Sequence, residues 1–305
     1  MHRILIVILT TILLAACQGG VNRTTGKTTI HVLVLESFLA DIAQNVAGDA
    51  FMVETLIPVG VDPHGFEITP QDLVNIQNAD ILIINGCGFE SWIQDSISNV
   101  VAGKTVIESC KGLTPRIPGA NETPGDHGLT DPHYWLDPIL VTQYVKNIKD
   151  GLISSNPERK AIYTTNSEKY INQLEELDRW VEKSVQSIPF DQRKIITNHE
   201  SFGYFADRYH FQIIGTIIPS ISSEASPSAQ QLADLVNRIQ LTGTKVIFLE
   251  TGSNPQLADQ IARETNIRVV SDLYTHSLTS LNGNAPTYIE MMKWNTNQIV
   301  EALKK

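Results

Sequence analysis

The sequence predicts an α/β fold of two lobes, each with a mainly parallel sheet flanked by helices, joined by one long helix. Short apolar runs alternate with amphipathic segments of helical spacing in both halves of the chain. That alternation is typical of parallel sheets with crossover helices. Between the halves, residues 157–187 contain no Gly and no internal Pro. With about 275 structured residues, the chain is long enough to bury a core in two such lobes.

The first half contains four predicted strands, each a short apolar run bounded by polar residues. These strands are Ile30–Leu35, Met52–Ile57, Ile81–Ile84 and Thr105–Ile107. The predicted helices between and after them are Leu39–Val46, Gln71–Asn78, Phe89–Val101 and Ile139–Ser154. Gly48 ends the first helix, and Thr69-Pro70 supplies an N-cap and a first-turn Pro for the second. This order predicts an N-terminal lobe at residues 30–155.

The pattern of residues 156–188 predicts a connector helix. Apolar side chains recur there at helical spacing, and Pro189 follows the end of the segment. At a rise of 1.5 Å per residue, about thirty residues form a rod of roughly 45 Å. A helix of this length between two α/β halves is best explained as a stiff connector.

Residues 189–305 repeat the alternation and predict a C-terminal lobe. Its predicted strands are Lys194–Thr197, Phe211–Ile218, Val246–Leu249 and Ile267–Val270. Its predicted helices are Ser201–Tyr209, Ser228–Leu241, Gln256–Thr265 and Thr287–Leu303.

The N-terminus predicts export and lipid anchoring. The apolar run Ile4–Leu14 is too short to span a bilayer stably and suits the core of a signal peptide. Leu14-Ala15-Ala16-Cys17 is typical of a bacterial lipobox, with a plain secretory signal as the alternative. We therefore expect residues 1–16 to be removed, Cys17 to be acylated, and residues 17–29 to form a flexible tether. The protein is then extracytoplasmic, on the periplasmic or cell-surface side of the membrane.

The charge of the chain argues against nucleic acid as a partner. The formal net charge is −10, whereas nucleic-acid binding needs a basic surface. An acidic surface is compatible with attraction of cations, although it more often serves solubility.

Cys87 and Cys110 each lie just past a predicted strand. If those strands are neighbours in a parallel sheet, their ends meet, and an oxidising compartment then permits a disulfide. Two unpaired buried thiols are the alternative, because spacing alone does not establish the geometry of a bridge.

The tripeptide Asp-Pro-His occurs at residues 62–64 and again at residues 131–133. Proline restricts its own φ and that of the preceding residue, so each copy presents its His from a stiff loop. A chance repeat is the alternative, but His199 and His276 also follow predicted strands. Four imidazoles at comparable positions indicate a metal site formed by His64, His133, His199 and His276.

Several ordered stretches carry a family resemblance. They are residues 57–67, 131–138, 197–205, 224–228 and 287–292. In these stretches the chain resembles the metal-binding lipoproteins of bacterial zinc and manganese ABC importers, a class with two lobes joined by one long helix. The resemblance implies a monomeric carrier that passes its metal to a membrane permease.

The resemblance also implies a ligand set. His64 and His133 would come from the first lobe and His199 from the second, with the metal in the cleft between them. The family usually places an Asp as fourth ligand on a late loop, where this chain has His276. Water or a nearby carboxylate, Asp272 or Glu224, is the alternative fourth ligand.

The chemistry of the donors favours Zn(II) over Mn(II), because imidazole suits zinc whereas manganese prefers oxygen ligands. Four protein ligands leave no water to activate, which suits carriage and not catalysis. Carboxylates beside the ligands are candidates to orient the imidazoles, with a turn or cap role as the alternative for each. They are Asp62, Asp131, Asp137 and Glu200.

Two other classes of function remain open at this point. A secreted zinc hydrolase would need an open coordination position and a general base, as in His-Glu-x-x-His. His199-Glu200 is not followed by a second His at that spacing, so an enzyme is not expected. A surface adhesin or a metallochaperone would leave no motif in the sequence.

Overall fold

A computed structural model of the chain describes residues 30–94, 98, 100–119, 122 and 130–304. The predicted signal peptide and the tether with Cys17 lie outside the described residues. Within the described part, no helix combines the length and the apolar character that crossing a bilayer requires.

The first lobe is built on a parallel sheet of four strands in the order β2-β1-β3-β4. The strands are β1 (Val32–Val34), β2 (Val53–Thr55), β3 (Ile81–Ile84) and β4 (Thr105–Glu108). In register, Val32 pairs with both Val53 and Ile81, and Ile81 pairs with Thr105. The predicted parallel sheet is therefore confirmed for this half of the chain.

Three helices of this lobe are α1 (Ser37–Ala47), α2 (Pro70–Asn78) and α3 (Pro138–Ser155). Thr69 and Asp72 form a reciprocal capping box at the start of α2, which satisfies two backbone N–H groups that the helix leaves unpaired. The predicted helix Phe89–Val101 is described only in part. Its first residues form a 3₁₀ turn at Phe89–Trp92 instead of an α-helix.

The connector, α4 (Lys160–Val185), has 26 residues and is about 39 Å long at the standard rise. It is shorter than predicted, because a separate 3₁₀ turn at Pro157–Arg159 precedes it. Helices α1 and α3 pack against it from the first lobe. The predicted rod is thus a packed element and not a free spacer.

The second lobe contains two parallel strand pairs, β5–β6 and β7–β8. The strands are β5 (Lys194–Thr197), β6 (Gln212–Thr216), β7 (Val246–Glu250) and β8 (Arg268–Leu273). The helices are α5 (Gly203–Tyr209), α6 (Ala229–Thr242), α7 (Gln256–Thr265) and α8 (Tyr288–Leu303). Strands β5 and β7 contact each other, and α5 and α8 pack against α4.

One hydrophobic core is shared between the lobes. The same cluster of buried side chains includes Val34 of β1, Leu174 of α4, Phe248 of β7 and Met291 of α8. Smaller clusters fill the outer side of each lobe. The carboxyl ends of parallel strands form a common edge at which ligands bind in open α/β sheets, and the predicted ligands lie beyond such ends in both lobes.

Candidate metal centre

Each of the four predicted ligands is held by a short loop. His64 lies in the 3₁₀ turn Pro63–Gly65, and His133 immediately precedes the 3₁₀ turn Tyr134–Leu136. His199 comes two residues after β5, and His276 three residues after β8.

The repeated Asp-Pro-His tripeptide has a local structural reason. In the first copy, the Asp62 carboxylate accepts the backbone N–H of His64 at 3.0 Å. In the second copy, the Asp131 carboxylate accepts the backbone N–H of His133 at 3.0 Å. Such Asx turns fix the backbone two residues beyond the Asp. The same Asx turn therefore orients the histidine in both loops.

The structure brings the four imidazoles together. Each offers one ring nitrogen, and these nitrogens all lie within 4.8 Å of one another. The Nε2 atoms of His133 and His276 are 3.2 Å apart. His133 and His199 are fully buried and His276 is nearly so, whereas His64 is half-buried.

Carboxylates lie behind three of the rings. Asp131 Oδ1 is 2.7 Å from Nδ1 of His133. Glu250 contacts two rings, with Oε1 2.8 Å from Nδ1 of His199 and Oε2 3.4 Å from Nδ1 of His276. A carboxylate at Nδ1 holds the proton there and turns the Nε2 lone pair toward the centre. The 3.2 Å separation of the His133 and His276 Nε2 atoms is satisfied by one proton between them or by a cation.

Buried nitrogens without a hydrogen bond also indicate a ligand. They are Nε2 of His64 and both ring nitrogens of His199 among the described residues, although Glu250 Oε1 lies 2.8 Å from Nδ1 of His199. An unsatisfied buried polar atom costs about 1–3 kcal/mol. In a tetrahedral zinc site with bonds of 2.0–2.1 Å, adjacent ligand nitrogens are about 3.3 Å apart. The His133–His276 separation matches that edge, so the donors fit a metal ion.

The electrostatics of the site are asymmetric. Burial, followed by repulsion from neighbouring imidazoles, lowers the pKa of His64 and of His133 well below the usual value. Burial opposes the charge of His199, but the Glu250 carboxylate outweighs it and raises the pKa of that imidazole. Burial likewise opposes the charge of Glu250, but His199 lowers the pKa of that carboxyl well below its usual value. The Glu250 carboxylate therefore favours a proton on His199 in the metal-free cluster, and a metal ion that binds this imidazole competes with that proton.

The four carboxylates that the sequence singled out have different positions. Asp131 contacts an imidazole directly, whereas Asp62 contacts the His64 backbone and accepts a hydrogen bond from Ser223 at 2.6 Å. Asp137 instead caps α3 by accepting the backbone N–H of Ile139. Helix capping was the alternative to the predicted contact with an imidazole. Glu200 donates its backbone N–H to Ser220, and its charge helps to raise the pKa of Asp131.

Glu250 is the residue in contact with the candidate ligands that the sequence analysis missed. It is the last residue of β7 and is buried. Ser201 donates a hydrogen bond to its Oε1 at 3.1 Å, and Thr275 donates one to Oε2. The available signal was its position at the carboxyl end of a fully apolar parallel strand, where ligand-binding residues concentrate.

Cys87 and Cys110 are joined by a disulfide, and their Cα atoms are 6.2 Å apart. They follow β3 and β4, which are hydrogen-bonded neighbours in the sheet. The bridge therefore lies at the same sheet edge as the histidine loops of the first lobe.

A two-lobed α/β fold with a packed connecting helix and a buried four-imidazole cluster defines a metal-binding solute-binding protein. Residues 32–302 match the family model described as "Zinc-uptake complex component A periplasmic", and the chain belongs to that family. The family comprises metal-binding proteins of ABC transporters and not enzymes.

Relatives and solved structures agree with this assignment. The manganese-binding lipoprotein MntA of Halalkalibacterium halodurans is 30% identical over 301 residues, covering 98% of this chain and 97% of that protein. The Mn-bound periplasmic metal-binding protein of Candidatus Liberibacter asiaticus has a TM-score of 0.79 and 28% identity, covering 89% of this chain and 98% of that one. The periplasmic zinc-binding protein TroA of Treponema pallidum has a TM-score of 0.81 and 24% identity, covering 90% of this chain and 99% of that one. At this identity the match supports the fold alone.

Proposed function

We propose that this protein captures Zn(II) with His64, His133, His199 and His276 and delivers it to an ABC permease. The observation that carries the proposal is the donor set. The clustered ligand atoms are all imidazole nitrogens, and imidazole suits zinc better than manganese. The nearest carboxylates contact the far side of the rings, where they orient the imidazoles.

Manganese is the second candidate cargo, because several relatives carry that metal in their names. Besides MntA, these include the manganese ABC transporter substrate-binding lipoprotein PsaA of Streptococcus pneumoniae, 28% identical over 299 residues that cover 96% of this chain and 94% of that one. A site for manganese would be expected to be richer in oxygen ligands. The two candidates thus make opposite predictions for competition between the ions.

Elemental analysis of the purified mature protein, followed by competition between zinc and manganese, tests the cargo. We expect zinc to be retained and to displace manganese. Manganese that displaces zinc would overturn the assignment of the metal.

Substitution of His276 tests the fourth ligand. His276→Ala is expected to weaken zinc binding markedly, whereas His276→Asp should retain binding and shift preference toward manganese, since a carboxylate can complete a zinc tetrahedron. His210→Asn is a suitable control, because His210 is exposed at the left-handed C-terminus of α5. Zinc binding by His276→Ala as tight as that of the parent would exclude the four-histidine site.

We infer that the protein works as a lipid-anchored monomer outside the cytoplasmic membrane. The relatives are named lipoproteins, and all four proposed ligands come from a single chain. Cys17→Ser should release the protein from membranes or leave its signal peptide uncleaved. Unchanged membrane retention of that variant would exclude the lipobox. An adhesive or metallochaperone role stays an untested alternative.

A further inference from the structure

We propose that Phe89 restricts the coordination number of the bound ion and thereby selects zinc over manganese. The inference rests on the proposed function, since it concerns the same four-imidazole site. Phe89 is only 2% exposed, and its ring packs against three of the four imidazoles. The centroid distances are 5.2 Å to His64, 6.0 Å to His133 and 6.0 Å to His276.

Trp135 extends this apolar wall. Its ring centroid is 4.9 Å from that of Phe89 and 5.1 Å from that of His133. The indole N–H is already donated to the Thr275 carbonyl at 2.6 Å. The indole therefore has no donor left for a water molecule, and Phe89 offers neither a donor nor an acceptor.

A cavity of about 180 Å³ lies beside the cluster, lined by polar residues that include Asp62 and His276 and by apolar residues that include Val61 and Leu273. Water in this cavity can approach the cluster beside His276, whereas Phe89 and Trp135 close the side that they cover. An octahedral ion needs ligands on opposite sides, whereas a tetrahedral zinc ion is complete with four nitrogens.

The loop that carries Phe89 is held rigidly. Gly86, Cys87 and Gly88 all have positive φ, at 82°, 54° and 86°. The Glu90 carboxylate accepts the backbone N–H groups of Asn85 and Gly86 at 2.6 and 3.0 Å. With Cys87 tied to Cys110 by the disulfide, the phenyl ring is fixed in place and cannot readily withdraw to admit water.

The loop also holds a ligand-bearing segment. The Asn85 side chain donates to the carbonyl of Pro132 at 3.3 Å, and Pro132 immediately precedes His133. Tyr144 in turn donates its hydroxyl to the Asn85 side chain. The position of the apolar wall relative to the His133 imidazole is therefore set by direct contacts.

The test compares the parent with Phe89→Ala, Phe89→Asn and Phe89→Leu, using Co(II) as a spectroscopic substitute for zinc. Tetrahedral Co(II) absorbs visible light strongly, and five- or six-coordinate Co(II) absorbs weakly. The parent and the Leu variant, which keeps apolar volume, should give intense bands. The Ala and Asn variants should give weak bands and an affinity ratio shifted toward manganese by about tenfold or more, as expected when the shell that controls solvent access is opened.

Water bound to Mn(II) gives a second measurement that needs no variant. In the parent loaded with Mn(II), broadening of the manganese resonance by ¹⁷O-water should report at most one coordinated water, from the cavity side. Two or more waters in the parent would overturn the inference, as would Ala and Asn variants with the parent's spectrum and metal ratio. Failure of the proposed function is distinct, since it would appear as manganese displacing zinc in the parent itself.

Discussion

At the scale of single residues, we expect Glu250 to influence metal affinity, because its carboxylate faces two imidazoles, those of His199 and His276. Glu250→Gln removes the charge that favours both Nδ1–H groups and leaves the buried Ser201 and Thr275 hydroxyls with a changed partner. Loss of such an orienting partner typically costs about 10–100-fold in metal affinity.

Calorimetric titration with zinc in the presence of a competing chelator measures this loss. Glu176→Gln is the matched control, because Glu176 is exposed on α4 and should leave affinity unchanged. Equal affinities for the two variants would show that Glu250 does not act on the site.

A second prediction at this scale concerns protons. Metal can bind only a deprotonated imidazole nitrogen, and the raised pKa of His199 means that protons compete with zinc there up to a higher pH than at an ordinary imidazole. His64 and His133 are already neutral, since their pKa values are lowered. Burial raises the pKa of Asp131 to about 7. This carboxyl is therefore partly protonated at neutral pH and adds to the protons that zinc binding releases.

Zinc binding near neutral pH should therefore release protons, and the release should diminish as pH rises. Titration calorimetry in buffers of different ionisation enthalpy counts them. The contribution of His199 to the stability of the zinc-free fold should have the opposite pH dependence from zinc affinity, whereas the lowered pKa values of His64 and His133 make the fold less stable as pH falls. A base with a raised pKa stabilises the fold below its ordinary pKa, and that stability is lost as pH rises through the folded-state value. A binding enthalpy independent of the buffer would contradict the prediction.

The residue scale also shows how far the sequence predicts the site. The four histidines could be located because two share a loop motif and all follow strands. Glu250 could not, since a Glu before Thr251-Gly252 is equally typical of a turn, and its role depends on β7 and β8 being neighbours. Asp137 takes the cap role that the sequence left open as its alternative, because an Asp before Pro is also a helix cap.

At the scale of elements, Glu36 connects β1 to α1 and is only 1% exposed. Neither of its carboxylate oxygens has a hydrogen-bond partner within the described part of the chain. Burial, reinforced by the charge of Glu90, raises the pKa of Glu36 well above the usual value. The folded state then binds more protons than the unfolded state, so stability falls as pH rises above the ordinary pKa of Glu toward the folded-state value.

Glu36→Gln keeps the shape of the side chain without a titratable proton. We expect the free energy of unfolding of this variant to equal that of the parent near pH 4. Near pH 8 the variant should be more stable by about 1–3 kcal/mol, the usual cost of an unsatisfied buried polar group. Thermal unfolding of the zinc-free proteins across this pH range tests it, with Glu176→Gln as control. A difference that does not change with pH would contradict the assignment.

Element boundaries were predicted best where local signals agree with burial. Ile81–Ile84, Lys194–Thr197 and Gln256–Thr265 have the predicted limits. The segment from Phe89 differs, because the left-handed residues before it and the disulfide close a tight loop that helical periodicity cannot reveal. The late start of α4 follows from Pro157, which opens a separate 3₁₀ turn.

At the scale of the whole molecule, the two lobes and their connector were predictable from the alternation of elements, but their shared core was not. Periodicity reports which face of an element is buried and not which element covers it. The common cluster that joins β1, α4, β7 and α8 depends on such distant packing. It makes the connector part of both lobes.

The last prediction follows from this packing: the lobes should move little when zinc binds. Bending a continuous helix breaks part of its hydrogen-bond ladder, and α4 is packed against helices of both lobes. Contacts beside the site also join the lobes, with Gly60 N–H donating to Ser277 at 2.6 Å and the Tyr204 hydroxyl donating to the Asp131 carbonyl at 2.9 Å. Solution scattering with and without zinc should therefore give nearly the same radius of gyration.

Glu175→Pro, at an exposed position of α4, serves as a control for the sensitivity of the scattering measurement. An interior Pro kinks or breaks a helix at a cost of about 3 kcal/mol, so this variant should change the radius of gyration. A marked compaction of the parent on zinc binding would mean that the lobes close about a hinge and that the shared core does not hold them.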